Sequence, residues 1–160
     1  MKNLQLKKKP VVETGLLIRK PVAEVFEAFI NPDITTKFWF TKSTGRLEAG
    51  KQVTWEWEMY NVSTQVNVKK IEKNKRILID WGRPGEVTRV EWIFTPDNGD
   101  ATYVTITNSG FQGDGDTIVA QALDSTGGFT TVLDGAKAWL EHNIKLNLIM
   151  DKFPKGLTEH

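Results

Sequence analysis

Acid-base chemistry would have to come from carboxylates, and four of them, Glu56, Glu58, Asp80 and Glu91, stand in strand-like stretches. Proton transfer near neutral pH needs a carboxylate whose pKa is moved by burial or by charged neighbours. All four alternate with large apolar residues, so the pattern turns each of them to water and puts none on the dry face. No catalytic residue is therefore expected. Histidine is scarce: His160 is terminal, and His142 lies about 120° from the centre of the apolar stripe of its helix, at the surface or flank. The chain has no cysteine, which excludes disulfides, thiol catalysis and thiolate metal sites. No cluster of histidines and carboxylates has the spacing of metal ligands, so neither metal nor cofactor is expected. The stretch Gly113-Asp114-Gly115-Asp116 has the look of a calcium loop, but the twelfth position counted from Asp114 is Ser125, not a carboxylate. It reads as a loop and a helix cap. Asn61-Val62-Ser63 fits the glycosylation pattern without a secretion signal to give it meaning.

What remains is the chemistry of binding. Trp55, Trp57, Trp81, Trp92, Phe94, Phe111, Phe129 and Trp139 either fill a solid core or line a cavity between a sheet and a helix. Ala122, Ser125 and Ala136 are small enough on the helix to leave room, and Thr64, Asn108 and Ser125 offer the few polar groups that an apolar pocket uses to orient a ligand. The side chains expected around such a ligand are Phe29, Trp39, Trp55, Trp57, Trp81, Trp92, Phe94, Phe111, Ser125, Phe129 and Val132.

The elements that must position them follow from periodicity. From Gly128-Phe129 through Asn147, the residues Phe129, Val132, Leu133, Ala136, Trp139, Leu140, Asn143 and Ile144 recur on one helical stripe. Asp134, Ala138, Glu141 and Lys145 fall opposite, and Glu141 and Lys145 form a favourable pair on the wet side. Ile118, Ala122 and Ser125 continue the stripe in phase toward an N-cap at Asp116. The expectation is one long helix, kinked or loosened at Gly127-Gly128.

Upstream, Val11–Lys20 reads as a strand interrupted by Gly15, with Leu16 and Ile18 on one face. Pro21 opens a short helix with Val22, Val25, Phe26 and Phe29 on its face. Asn31-Pro32-Asp33 stops it and caps a second short helix over Asp33–Phe38, and Trp39 and Phe40 close the pair. Further strands are expected over Thr41–Leu47, Gln52–Met59, Asn61–Ile71, Arg76–Trp81, Val87–Thr95 and Thr102–Asn108. The turn chemistry of Pro96-Asp97-Asn98-Gly99-Asp100 joins the last two as a hairpin. Strands at hairpin spacing make one antiparallel sheet with a wet face and a dry face. The dry face carries four of the six tryptophans, Trp55, Trp57, Trp81 and Trp92. The class is α+β.

The 160 residues suit one domain, expected over residues 1–153, with a disordered tail over 154–160. Charged residues make up 26% of the chain and the net charge is +1, which argues against a nucleic-acid partner. No apolar run is long enough for a membrane span, so no membrane insertion is expected. Met1–Lys9 is polar and lysine-rich, unlike a secretory signal, and reads as a solvated tail. The expected location is the cytoplasm.

The order strand, two short helices, six strands, long C-terminal helix resembles the helix-grip fold of the START, polyketide-cyclase and birch-pollen-allergen (SRPBCC) superfamily. It is most similar to the branch of homologues of the activator of the heat-shock-protein-90 ATPase. Three stretches carry the resemblance. Pro21-Val22-Ala23-Glu24-Val25-Phe26-Glu27-Ala28-Phe29, with Asn31-Pro32 and Phe38-Trp39-Phe40, is similar to the family's Pro-x-x-x-Val-Phe helix and its Trp-Phe ending. Thr102–Phe111 is similar to its last strand ending in Ser-Gly-Phe. Gly128–Asp134 running on to Leu140-Glu141 is similar to its Gly-Trp-x-x-x-Leu motif, with Phe129 in place of the Trp. The resemblance implies a curved sheet of about seven strands wrapped around the C-terminal helix. It also implies a small hydrophobic ligand, lipid-like or aromatic and polyketide-like, held between them without catalysis. A heat-shock-protein-90 cochaperone is the alternative function, with a chaperone as partner, and a cyclase or hydrolase the further one. A monomer or weak dimer is expected.

Overall fold

The computed structural model describes residues 4–157. Strand β1 (Val12–Ile18) leads through Pro21 into α1 (Val22–Ile30), and Asn31 caps α2 (Pro32–Thr35) by accepting from the Asp33 N–H at 3.0 Å. Six strands follow: β2 (Lys42–Ser43), β3 (Gln52–Trp57), β4 (Val62–Glu72), β5 (Arg76–Trp81), β6 (Thr88–Asp97) and β7 (Ala101–Ser109). The long helix α3 (Gly115–His142) and the short α4 (Leu148–Lys152) complete the order. All strands pair antiparallel in one sheet ordered β1-β7-β6-β5-β4-β3-β2, with a register irregularity in β4 between Val68 and Lys70. This is the α+β helix-grip arrangement.

Alternation decides the two faces of the sheet. Val53, Trp55, Val66, Val68, Ile77, Ile79, Val90, Trp92, Phe94, Val104 and Ile106 are buried on the inner face. Phe26 and Phe29 of α1 and Phe129, Val132, Leu133 and Ala136 of α3 close on them. Phe26 meets Phe94 edge-on at 5.2 Å between ring centroids. On the outer face Asp80 is held below the usual carboxylate range by the guanidinium of Arg89, which donates to it at 2.8 and 3.1 Å. Arg76 likewise donates to Glu91 at 2.6 Å. β1 runs through Gly15 without the expected interruption, and the position is small because the Tyr103 ring lies across it: a Cβ there would sit 2.5 Å from the Tyr103 hydroxyl.

Several boundaries depart from the periodic reading, each for a local reason. β2 is two residues instead of Thr41–Leu47, since Ser43 Oγ donates to the Gly45 carbonyl and accepts its N–H, turning the chain. β3 stops at Trp57 because Glu58–Tyr60 form a 3-10 turn, closed by Asn61 at φ 51°. α2 ends at Thr35, where the Thr35 hydroxyl reaches back to the Ala28 and Asn31 carbonyls. The cap of α3 is Asp114, not Asp116: its carboxylate accepts the Thr117 N–H at 2.8 Å and is held low by that bond. α3 runs unbroken through Gly127-Gly128 but ends at His142. There Asn143 takes φ 54° and donates its N–H to the Ala138 and Trp139 carbonyls. Asn143 and Ile144, expected on the buried stripe, are therefore exposed. Another asparagine at positive φ, Asn147, starts α4, which periodicity alone does not separate from α3.

Leu6 packs with Val12, Phe111, Ile118 and Ala122, while Lys7, Lys8 and Lys9 are exposed and Met1–Asn3 lie outside the described residues. Pro154 is half-buried, Lys155, Gly156 and Leu157 are exposed, and residues 158–160 lie outside the described residues. The Tyr60 hydroxyl holds this last segment by bonding the Ile149 and Phe153 carbonyls at 3.2 and 2.7 Å.

The polar flank of α3 is not simply wet. Thr130 meets Thr14 hydroxyl to hydroxyl at 2.8 Å, the Lys137 ammonium donates to the Leu17 carbonyl at 2.7 Å, and Glu141 accepts the Arg19 N–H at 2.8 Å. Lys137 also pairs with Glu141 at 2.6 Å. The expected Glu141–Lys145 pair does not form, because Lys145 follows the end of the helix. Desolvation pushes the Glu141 carboxyl up, but the bonds from the Arg19 N–H and Lys137 outweigh it and leave the group below its ordinary value. A lowered folded pKa gives stability that is complete at neutral pH and is lost as pH falls through that lowered value. Glu141→Gln is expected to cost about 1–3 kcal/mol at neutral pH. In urea denaturation across a pH series, the gap to wild type should close in acid; a gap constant with pH would contradict the ionic assignment.

Candidate ligand-binding cleft

A cleft of about 1120 Å³ opens between the middle of α3 and the β4–β6 side of the sheet. Its floor is Trp39, Trp57, Trp81 and Phe129; its walls come from the 3-10 turn, the start of β4, the β5–β6 loop, α3 and the segment after α4. The volume is a little above that of most small-molecule pockets, and the aromatic floor is of the kind they have.

Trp39 is the hub. Its ring meets Trp55 at 4.8 Å, Trp81 at 5.9 Å, Trp92 at 6.1 Å and Phe129 at 5.9 Å. The short α2 and the turn behind it project Trp39 under α3, so it both wedges the helices onto the sheet and faces the cleft. Trp57 and Trp81 end their strands at the cleft and are half-buried, whereas Trp55, one alternation further in, is 1% exposed.

The polar groups sit on one side. Asn108, 3% exposed at the end of β7, donates to the Arg89 carbonyl at 2.9 Å and to Thr88 Oγ1 at 3.0 Å. Ser125 Oγ donates to Asn108 Oδ1 at 2.7 Å. Asn108, Ser125, Thr64 and Thr88 all line the cleft. Glu58, Glu86 and Asp124 stand at its mouth, exposed to solvent. Among the described residues no carboxylate is buried, and no group of histidines and carboxylates could hold a metal.

Seven of the residues expected around a ligand line this cleft: Trp39, Trp57, Trp81, Phe111, Ser125, Phe129 and Val132. Phe29, Trp55, Trp92 and Phe94 do not. They lie deeper, in ring contacts such as Phe40–Trp55 stacked at 4.5 Å and Phe29–Trp92 at 6.2 Å. Alternation shows which face a side chain takes but not how far along the strand the helix covers it, so the solid core and the cavity share one inner face. The sequence reading missed Tyr60, Gln121, Ile149 and Phe153, all of which line the cleft. The 3-10 turn and α4 lack the periodicity that would have pointed to Tyr60, Ile149 and Phe153, and Gln121 falls off the apolar stripe of α3. His142 is exposed at the end of α3, away from the cleft lining.

Comparison with known proteins bears on this geometry. The profile of the family described as "Activator of Hsp90 ATPase homolog 1-like protein" matches residues 19–141. No curated protein matches the chain in sequence. Among solved structures, the protein SSP2350 from Staphylococcus saprophyticus is 29% identical with a TM-score of 0.74, covering 86% of this chain and 96% of that one. The Aha1 dimer from Colwellia psychrerythraea is 16% identical with a TM-score of 0.70, over 83% of this chain and 97% of that one. DynU16, a protein of the dynemicin biosynthetic locus, is 20% identical with a TM-score of 0.74; the match covers 84% of this chain and 48% of DynU16. The latter two likenesses are of fold alone. The family profile spans the chain from the residue after β1 to the last turn of α3, including α1, α2, every strand that carries the cleft, and Phe129. The chain belongs to the family of Activator of Hsp90 ATPase homolog 1-like proteins.

Proposed function

We propose that this protein binds a small hydrophobic ligand, lipid-like or aromatic, in the cleft between the sheet and α3, and that it does so without catalysing a reaction. The observation that carries this reading is the aromatic floor of Trp39, Trp57, Trp81 and Phe129 beneath an open volume of about 1120 Å³. Non-titrating groups, Asn108, Ser125, Thr64 and Thr88, supply the polarity inside. The reading takes residues 1–153 as one domain acting in the cytoplasm as a monomer or weak dimer.

A second reading rests on the family description and on the fold shared with the Colwellia Aha1 dimer: a cochaperone-like regulator of the heat-shock-protein-90 ATPase. It requires that adding the protein changes chaperone ATPase turnover and that the two form a complex recoverable by pull-down. Unchanged turnover with no complex removes it.

For the binding reading, tryptophan fluorescence should quench or shift on titration with hydrophobic ligands, because three tryptophans border the cleft. The melting temperature should rise in step; a ligand at a hundred times its Kd stabilises by about 2.7 kcal/mol. A broad hydrophobic library that moves neither signal would sink this reading. Gly128 offers a finer probe, since it lines the cleft and a Cβ there meets nothing within 4 Å. Gly128→Ala is expected to stabilise α3 by about 0.5–1 kcal/mol. It should also slow ligand association in stopped-flow fluorescence by stiffening the helix beside the opening; unchanged association would show that entry does not involve this turn.

A further inference from the structure

The direction of the hydrogen bonds in the cleft wall limits what a ligand can offer it. The chain of bonds begins at a backbone carbonyl, Arg89 O, which only accepts. Asn108 must therefore turn its amide nitrogen toward Arg89, and both amide hydrogens are used, one on Arg89 O and one on Thr88 Oγ1. That fixes Asn108 Oδ1 toward Ser125, so the Ser125 hydroxyl has to spend its one hydrogen on Asn108. What Ser125 keeps for the cleft is lone pairs. One helical turn earlier on the same face of α3 stands Gln121, also in the cleft wall. Its Oε1 is buried and makes no hydrogen bond among the described residues. A buried amide oxygen without a partner is costly unless something supplies a donor.

Resting on the binding reading above, we propose that Ser125 and Gln121 are specificity-determining residues that select a hydrophobic ligand bearing a hydroxyl group, which donates a hydrogen bond to this wall. An ether, ketone or carboxylate set against Ser125 brings lone pairs against lone pairs. A hydroxyl also satisfies Gln121 whichever way its carboxamide faces, because it both donates and accepts. Thr88 keeps its hydroxyl hydrogen, but it lies on β6 across Asn108 and not on the α3 wall.

The test compares 1-hydroxypyrene with 1-methoxypyrene, two probes of nearly the same shape and apolar surface, by energy transfer from the cleft tryptophans. Wild-type protein should bind 1-hydroxypyrene about tenfold tighter, the worth of one donor to a buried acceptor. Ser125→Ala and Gln121→Met should each lower that ratio several-fold. The wild-type ratio needs no variant, so a folding defect in either one does not obscure the answer. Equal affinities for the two probes would overturn this inference and leave the cleft as the site. A preference for 1-hydroxypyrene untouched by both substitutions would also overturn it, since the hydroxyl would then be read elsewhere. Binding of neither probe would count against the cleft itself and take this inference with it.

Discussion

The fixed point of this molecule is the seam between α3 and the free edge of β1. An edge strand presents unpaired N–H and C=O groups that must find partners or face water. Here helix side chains take them: Lys137 on the Leu17 carbonyl and Glu141 on the Arg19 N–H, with Thr130 on the Thr14 hydroxyl. The spacing is commensurate. A helix advances about 16 Å from Thr130 to Glu141, and a strand advances about the same from Thr14 to Arg19. Each tie therefore meets its partner without either element bending, and the helix runs along the strand instead of across the whole sheet.

That placement makes the structure lopsided. With α3 fastened over the β1 edge, the far side of the sheet, β3 to β5, cannot be covered by the same helix. The bulky half of the α3 stripe, Phe129 to Ala136, closes on the sheet with α1 behind it, and all of these side chains are buried with the central strands. The ends of β3 and β5 lie beyond that cover. Trp57 and Trp81 stand there half-buried, and the chain returns after α4 to wall in the gap, tethered by Tyr60. The cleft is the space that one helix, committed to one edge, leaves over a seven-stranded sheet.

Much of this was legible in the sequence because it rests on period. Strict alternation in Gln52–Trp57, Arg76–Trp81 and Thr88–Phe94 gave the strands and their inner faces, and the Phe129–Ala136 stripe gave the helix. What escaped rests on single residues. The left-handed asparagines at 61, 143 and 147 end or begin elements where the apolar pattern runs on. A helical wheel divides residues into apolar and polar, so Glu141 went to water although its real partner is a strand edge contributed from more than a hundred residues earlier. For the cleft, alternation identified the aromatic face, but the depth of each aromatic depends on where α3 stops covering it. Hence Trp55 and Trp92 read the same as Trp57 and Trp81, and only the first pair is sealed in the core.

The half-buried tryptophans bear on why the space is kept. Apolar surface left in contact with water forgoes about 25 cal/mol for every Å² that burial would have removed, and large indoles are among the most costly side chains to leave uncovered. Closing the gap would need only bulk on the facing turn of α3. Instead that turn carries Ser125, Gly127 and Gly128, and at Gly128 there is open room for at least a methyl group. The glycines also weaken the helix by their own conformational entropy. Two costs thus fall on the same turn, one in packing and one in propensity, while the polar relay from Arg89 through Asn108 to Ser125 holds that turn at a fixed distance from β7. Stability alone explains neither cost. Under the proposed function a guest molecule would recover the apolar contact that the small residues give up.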